Sequence, residues 1–193
     1  MSLTRDEMLT MFRESGALLD GHFLLTSGLH SNQYFQCAKV FQYPENGDLI
    51  GADVAAHFRN DGIDTVVSPA VGGIVFGQEV ARHLKSRAIF TERADNIMTL
   101  RRGFEIKPGE KVMVAEDVTT TGGSVKEVIN VIKDLGAEVA AVASVVDRSG
   151  GSIDFGVDYF SLFEMKVEAW KAAECPLCAK GSTPVKPGSR KVG

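Results

Sequence analysis

The chain has 193 residues, 44% of them hydrophobic and 24% charged, a composition that fits one soluble globular domain with a substantial core and excludes a disordered chain. A net charge of −4 argues against a general nucleic-acid binder, which is usually basic. Three cysteines, Cys37, Cys175 and Cys178, are too few and odd in number for a disulfide framework and point to a reducing compartment.

Thr4-Arg5-Asp6-Glu7 has the pattern of a capping box. Met8, Met11 and Phe12 follow at helical spacing, with Gly16 as the stop. The same acidic start does not fit a secretory signal. Leu18 to Val40 mixes apolar and polar residues around Gly21 and Gly28 and is expected to form short strands and turns. After Pro44, the four-residue steps Ile50, Val54 and Phe58 predict a second helix.

A repeated unit then begins. Asp64 to Ser68 is a short apolar strand, Pro69-Ala70-Val71-Gly72-Gly73 a loop, Ile74 to Leu84 a helix and Arg87 to Thr91 a strand. The longest apolar stretch, Thr65 to Gln78, contains Pro69 and three glycines and is too short and broken to cross a bilayer. No membrane partner and a cytoplasmic location are therefore expected. Glu92 to Lys107 reads as a loop, Lys111 to Ala115 as a strand and Glu116 to Gly123 as a loop. Ser124 to Leu135 is a helix closed by Gly136, and Val139 to Val146 is a continuous apolar run suited to a buried parallel strand. Strands alternating with helices imply an α/β fold with a mostly parallel central sheet flanked by helices. Ligands in such sheets bind beyond the carboxyl ends of the strands. The tail after Pro176, rich in Gly, Pro, Lys and Ser, is expected to be loosely ordered.

The chemistry concentrates in Val112-Met113-Val114-Ala115-Glu116-Asp117-Val118-Thr119-Thr120-Thr121-Gly122-Gly123-Ser124. Glycines let the backbone approach an anion closely. Amides at a helix start and threonine hydroxyls can surround a phosphate. Carboxylates repel phosphate but accept hydrogen bonds from sugar hydroxyls or bind a metal ion. Diol binders beside a phosphate cradle describe a site for ribose 5-phosphate. No G-x-x-x-x-G-K-[ST], no G-x-G-x-x-G after a strand and no H-E-x-x-H occurs, which sets aside the P-loop, dinucleotide and metalloprotease readings.

This string resembles the phosphoribosyl pyrophosphate motif of the type I phosphoribosyltransferases. Within that group Gly21 to Ser31 with Tyr34-Phe35, Thr91-Glu92-Arg93 with Thr99 to Phe104, and Val145-Val146-Asp147-Arg148 are similar to the orotate phosphoribosyltransferases. The resemblance implies a single domain over residues 1–193. Its core spans approximately 45–165, with a small hood formed by approximately 1–40 and a C-terminal segment. It implies that Glu116 and Asp117 bind the ribose hydroxyls and that Thr119, Thr120, Thr121, Gly122, Gly123 and Ser124 hold ribose and 5′-phosphate. Val71, Gly72, Gly73 and Arg93 would meet the pyrophosphate, and Thr26, Tyr34, Phe35, Thr120 and Arg148 the orotate. Asp117, Arg93, Arg101 and Arg102 would be catalytic, with Mg²⁺ carried by phosphoribosyl pyrophosphate. It also implies a homodimer in which a loop over residues 93–106 reaches the partner's site.

The chain departs from the family at Thr26, Gly72 and Ala94, where lysines are common; Arg101 and Arg102 are expected to replace those cations. Arg148 makes sense beyond the resemblance, because a guanidinium fork suits a carboxylate. Two rivals stay open: a phosphoribosyltransferase for a purine or other base, and a regulator that senses phosphoribosyl pyrophosphate without turnover.

Two further features belong to the expectations. Between Arg82 and Lys111 eight basic residues outnumber four acids, a local excess that suits a small polyanion. Cys175-Pro176-Leu177-Cys178 is a lone C-x-x-C. Structural zinc normally takes four ligands, and only Cys37 and four scattered histidines remain, so an incidental or structural pair is favoured over a zinc site. His22 and His30, isolated at turns, read as polar surface.

Overall fold

The computed structural model describes residues 2–25 and 27–187. Thr26, expected at the base, lies outside the described residues. The first helix, α1, spans Arg5–Glu14 and carries the full capping box: the Thr4 hydroxyl accepts from the Glu7 amide and the Glu7 carboxylate accepts from the Thr4 amide. Met8, Met11 and Phe12 form its buried stripe. Strands β1 (Leu18–Leu24) and β2 (His30–Phe35) form an antiparallel hairpin, and α2 covers Pro44–His57 with Pro44 in its first turn.

Six strands make the main sheet: β3 (Thr65–Pro69), β4 (Arg87–Ala94), β5 (Ile97–Leu100), β6 (Lys111–Thr119), β7 (Glu138–Asp147) and β8 (Asp158–Glu164). Their order is β5-β4-β3-β6-β7-β8. Only the β4–β5 pair is antiparallel. Helices α3 (Gly73–Leu84) and α4 (Gly123–Asp134) connect the parallel strands. One buried cluster joins Met8, Phe12, Ile50, Val54, Phe58 and Phe76 to one face of the sheet. Val125, Val128, Ile129 and Ile132 of α4 cover the other with Val67, Val114 and Val142. Burial on both faces explains the apolar runs in β3 and β7. From β3 the chain winds one way to β4, and from β6 the other way to β7 and β8. The loops after β3 and β6 thus diverge at a switch point, the place where open α/β sheets bind ligands.

Three sequence readings need correction. The strand ending at Ala115 continues to Thr119, so Glu116 and Asp117 belong to its carboxyl end and are not in a loop. The segment 92–107 contains a hairpin: β4 turns at Asp95-Asn96, both with positive φ (50° and 66°), and returns as β5 with Ala94 opposite Ile97. Asp and Asn tolerate the left-handed conformation that such two-residue turns require. The described part of the tail, up to residue 187, is also more ordered than its composition suggested: the short helix α5 spans Pro176–Ala179, and ahead of it strand β9 (Ala169–Trp170) pairs with β2. The Val185 N–H donates to the His22 carbonyl, and the Leu24 N–H to the Val185 carbonyl. The C-terminal segment is thereby tied to the three-stranded sheet β1-β2-β9.

Candidate active site

The Gly122–Ser124 corner is built for an anion. Gly122 caps α4 in the left-handed conformation, with φ 72° and no side chain closing the helix end; the first turn holds no acid. The opening N–H groups of a helix have no intrahelical partner, and the helix dipole favours negative charge there. Thr120, Thr121 and Gly123 are exposed around a cavity of 60 Å³ whose floor includes Glu116 and Val118. Thr119 is different: as the last strand residue it is 1% exposed, so its hydroxyl belongs to the floor of this loop.

Beside this loop the backbone after β3 presses on the two acids. A Cβ on Gly72 would lie 2.6 Å from an Asp117 carboxylate oxygen, and one on Gly73 would lie 2.8 Å from the Ala115 carbonyl. Gly72 is therefore the residue that lets this loop touch Asp117. The Ala70–Val71 peptide is cis, and Val71 is 80% exposed. Glu116 is 9% exposed and accepts a 3.1 Å bond from the Asp117 amide. Burial, and then the charge of Asp117, push its pKa up to about 9. Asp117 accepts a 2.8 Å bond from the Val118 amide. Burial, with help from both acids, raises the Cys37 thiol well above its ordinary range, which makes Cys37 an inert core residue.

Arg148 follows β7 directly. Its amide donates to the Thr119 carbonyl at 2.8 Å, so it is joined to the root of the 120–124 loop. The guanidinium is half-buried, and its Nε has no hydrogen-bond partner. Burial pushes its pKa down from the usual arginine value, while nearby Tyr34 opposes the shift. The chemistry of a partly desolvated guanidinium suits a carboxylate. Asp147, which the sequence reading left without a role, orients the turn: it is 4% exposed and accepts from the Ser149 amide at 2.6 Å.

The structure separates Tyr34 from Phe35. Tyr34 is partly exposed on the side of Arg148. Phe35 is 8% exposed and packs edge-on against Phe12 with centroids 5.0 Å apart. Strand neighbours face opposite sides, so only Tyr34 is offered to a ligand. The cations at the far side are engaged elsewhere. Arg93 pairs with Glu127 at 2.7 Å, and Arg101 and Arg102 both pair with Glu92. Arg87 pairs with Glu110, and Arg82 with Asp48 and Glu79. Part of the basic excess of this segment is therefore offset from outside it, by Asp48 and Glu79 at Arg82 and by Glu127 at Arg93, while Arg87, Arg101 and Arg102 pair with acids of the segment itself. A cleft of about 1010 Å³ lies between α1 and α2. Asp6, Glu7, Glu14 and Glu45 line it, and their charge would repel a phosphorylated ligand.

This arrangement has close counterparts. Residues 45–175 match the model of the phosphoribosyl transferase domain. The orotate phosphoribosyltransferase of Chlorobaculum parvum is 57% identical over 188 residues, covering 97% of this chain and 97% of its own. That of Caldicellulosiruptor bescii is 52% identical over 189 residues, 98% of this chain and 100% of its own. The chain belongs to the orotate phosphoribosyltransferase family. Among solved structures, orotate phosphoribosyltransferase from Aeropyrum pernix shares the fold with a TM-score of 0.70 at 24% identity, over 82% of this chain and 94% of that one.

The corner at the start of α4 in this family member rests on Gly122. An alanine there would hold a left-handed φ and place its Cβ 2.9 Å from the Phe155 ring. We expect Gly122→Ala to lose about 2–4 kcal/mol of stability and to weaken binding of phosphoribosyl pyrophosphate. Urea unfolding and ligand titration check this; an unchanged midpoint would show that the corner tolerates a side chain.

Proposed function

We propose that the chain transfers ribose 5-phosphate from phosphoribosyl pyrophosphate to orotate, releasing pyrophosphate and forming orotidine 5′-monophosphate in pyrimidine synthesis. The observation that carries the choice of base is the unpartnered, half-buried Arg148, bonded through its amide to Thr119. A purine has no carboxylate for that guanidinium.

The roles follow the geometry. The loop 120–124 receives the 5′-phosphate on backbone amides and hydroxyls. Glu116 and Asp117 accept the ribose hydroxyls, and the bare backbone of Gly72 and Gly73 leaves room for pyrophosphate beside Asp117. Arg148 forks to the orotate carboxylate, and Tyr34 lies along the base. With both substrates fixed, ring nitrogen and anomeric carbon are held in one geometry, and positioning and electrostatics supply most of the rate. Asp117 and Glu116 present hard oxygen donors that fit Mg²⁺ with retained waters. When bound with the substrate, Mg²⁺ supplies positive charge to the leaving pyrophosphate.

The protein acts as a homodimer in this reading. The β4–β5 hairpin places Ile97, 68% exposed, at its tip, an apolar residue ready to be covered. Arg93, Arg101 and Arg102 would exchange their carboxylate partners for the pyrophosphate as residues 93–106 close over the partner's site. The sheet β1-β2-β9 serves as the hood. Three free cysteines suit a reducing compartment, and we place the reaction in the cytoplasm; among the described residues no helix is long and apolar enough to cross a membrane.

Orotate consumption with phosphoribosyl pyrophosphate and Mg²⁺, followed by absorbance beside uracil, hypoxanthine and adenine, tests the assignment. Loss of orotate matched by pyrophosphate release is expected. Turnover of another base alone would discard orotate, and binding of phosphoribosyl pyrophosphate without turnover would favour a sensor.

A further inference from the structure

The C-x-x-C of the C-terminal segment is not alone in three dimensions. Cys175 caps the start of α5, and Cys178 lies within it. Both meet His22 of β1 and His30 of β2. His22 Nε2 is 3.0 Å from His30 Nδ1, 3.4 Å from Cys175 Sγ and 3.8 Å from Cys178 Sγ. Cys178 Sγ is 3.3 Å from His30 Nδ1. All four ligand atoms lie within 4.8 Å of one another, and three of the four residues are buried. His22 and His30, each 7% exposed, are therefore not the surface residues the sequence suggested.

These distances match one coordination geometry. With zinc–sulfur bonds near 2.3 Å and zinc–nitrogen bonds near 2.05 Å, a tetrahedron separates two nitrogens by about 3.3 Å, nitrogen from sulfur by about 3.6 Å and two sulfurs by about 3.8 Å. The second ring nitrogen of His22 is also held, 3.1 Å from the Ser182 hydroxyl. The Ser182 amide donates in turn to the Leu177 carbonyl. Fixing a histidine through its other nitrogen is the usual outer support of a metal ligand. Two soft sulfurs and two imidazoles in a tetrahedron select zinc over the hard cations.

We propose that Cys175, Cys178, His22 and His30 form a structural zinc site that fastens the C-terminal segment to the β1–β2 hairpin. All four positions are filled by protein, so the site is closed and has no room for a reacting water. It is separate from the phosphate loop and does not depend on the base assignment. Its place explains why the backbone bonds of Val185 to His22 and Leu24 sit beside it: metal and main chain hold the same junction.

The test uses the full chain purified under reductant. Elemental analysis after gel filtration is expected to find one zinc per chain. Chelation and replacement by Co²⁺ should give the intense visible bands of a tetrahedral ion and a thiolate-to-cobalt charge-transfer band, saturating at one equivalent and reversed by Zn²⁺. Trp170, the chain's only tryptophan, pairs with His30, so its emission should fall as Co²⁺ binds. Cys178→Ser should abolish the charge-transfer contribution of one thiolate and weaken retention of zinc at least tenfold. The wild-type spectra decide the matter if that variant fails to fold. Protein without retained zinc, a weak octahedral cobalt spectrum, or a Cys175–Cys178 disulfide in protein isolated under reductant would each overturn the site.

Discussion

Arg148→Ala is expected to lower kcat/KM for orotate on the order of a hundredfold or more, chiefly through KM, while binding of phosphoribosyl pyrophosphate alone stays unchanged. Removing one partner of a desolvated charge pair costs about 2–5 kcal/mol, and each 1.4 kcal/mol is about tenfold. The ligand-free protein should not suffer. Its Arg148 has an unpartnered Nε, and burial already disfavours its charge, so truncation relieves a desolvation cost. Arg148→Lys should rescue little, because an ammonium cannot form the two parallel bonds of a guanidinium. Steady-state kinetics with orotate and uracil, beside thermal unfolding, separate the effects. The preference for orotate over uracil should collapse in the variant. An unchanged KM for orotate would remove Arg148 from the base site and with it the main structural support for a carboxylated substrate.

The fold and the Gly122–Ser124 corner were legible because their information is local. Val112 to Ser124 carries strand, acids, loop and helix start in one stretch, and β3 and β7 announce themselves by continuous apolar runs. Other features were written elsewhere. Strand β8, Asp158–Glu164, is an edge strand of mostly partial burial, so it lacks the apolar run of its neighbours. The hairpin turn uses Asp95-Asn96 without glycine and was read as loop; Asn and Asp in sequence between Arg93 and Ile97 were its signal. Strand alternation across Tyr34-Phe35 also held a usable clue that only one of the two rings could face a ligand. The proposed metal cluster showed only half of itself locally, as the C-x-x-C of Cys175 and Cys178: its members are separated by up to 156 residues, and only the pairing of the C-terminal segment with β1 and β2 brings His22 and His30 to the cysteines. Arg93, Arg101 and Arg102 show the limit for charges. Sequence counts a local excess, while packing brings Glu127 from α4 onto Arg93 and gathers Arg101 and Arg102 on one acid, Glu92.

Glu116→Gln should make the ligand-free protein increasingly more stable than wild type as pH rises and at the same time weaken its binding of substrate. The carboxyl is 9% exposed with Asp117 beside it, and its pKa stands at about 9 against an ordinary value of 4.5. The folded chain therefore holds a proton that the unfolded chain releases above pH 4.5. With more protons bound in the native state, stability falls as pH rises, by up to about 1.4 kcal/mol per pH unit for one group. That loss begins near the unfolded value and levels off above about 9. Glutamine cannot ionise and keeps the oxygen that accepts from the Asp117 amide. The Tm difference between variant and wild type should be near zero at pH 4.5, grow through neutrality and flatten above 9. Substrate reverses the ranking. A hydrogen bond to a charged group contributes about 1 kcal/mol more than one to a neutral group, so KM for phosphoribosyl pyrophosphate should rise about five- to tenfold. If the ionised form is the one that binds, wild type must release a proton on binding at neutral pH, and the heat of binding will depend on the buffer's ionisation enthalpy; the variant's will not. A Tm difference that does not change with pH would mean that Glu116 is already ionised in the folded protein, with its burial charge satisfied by something other than a proton.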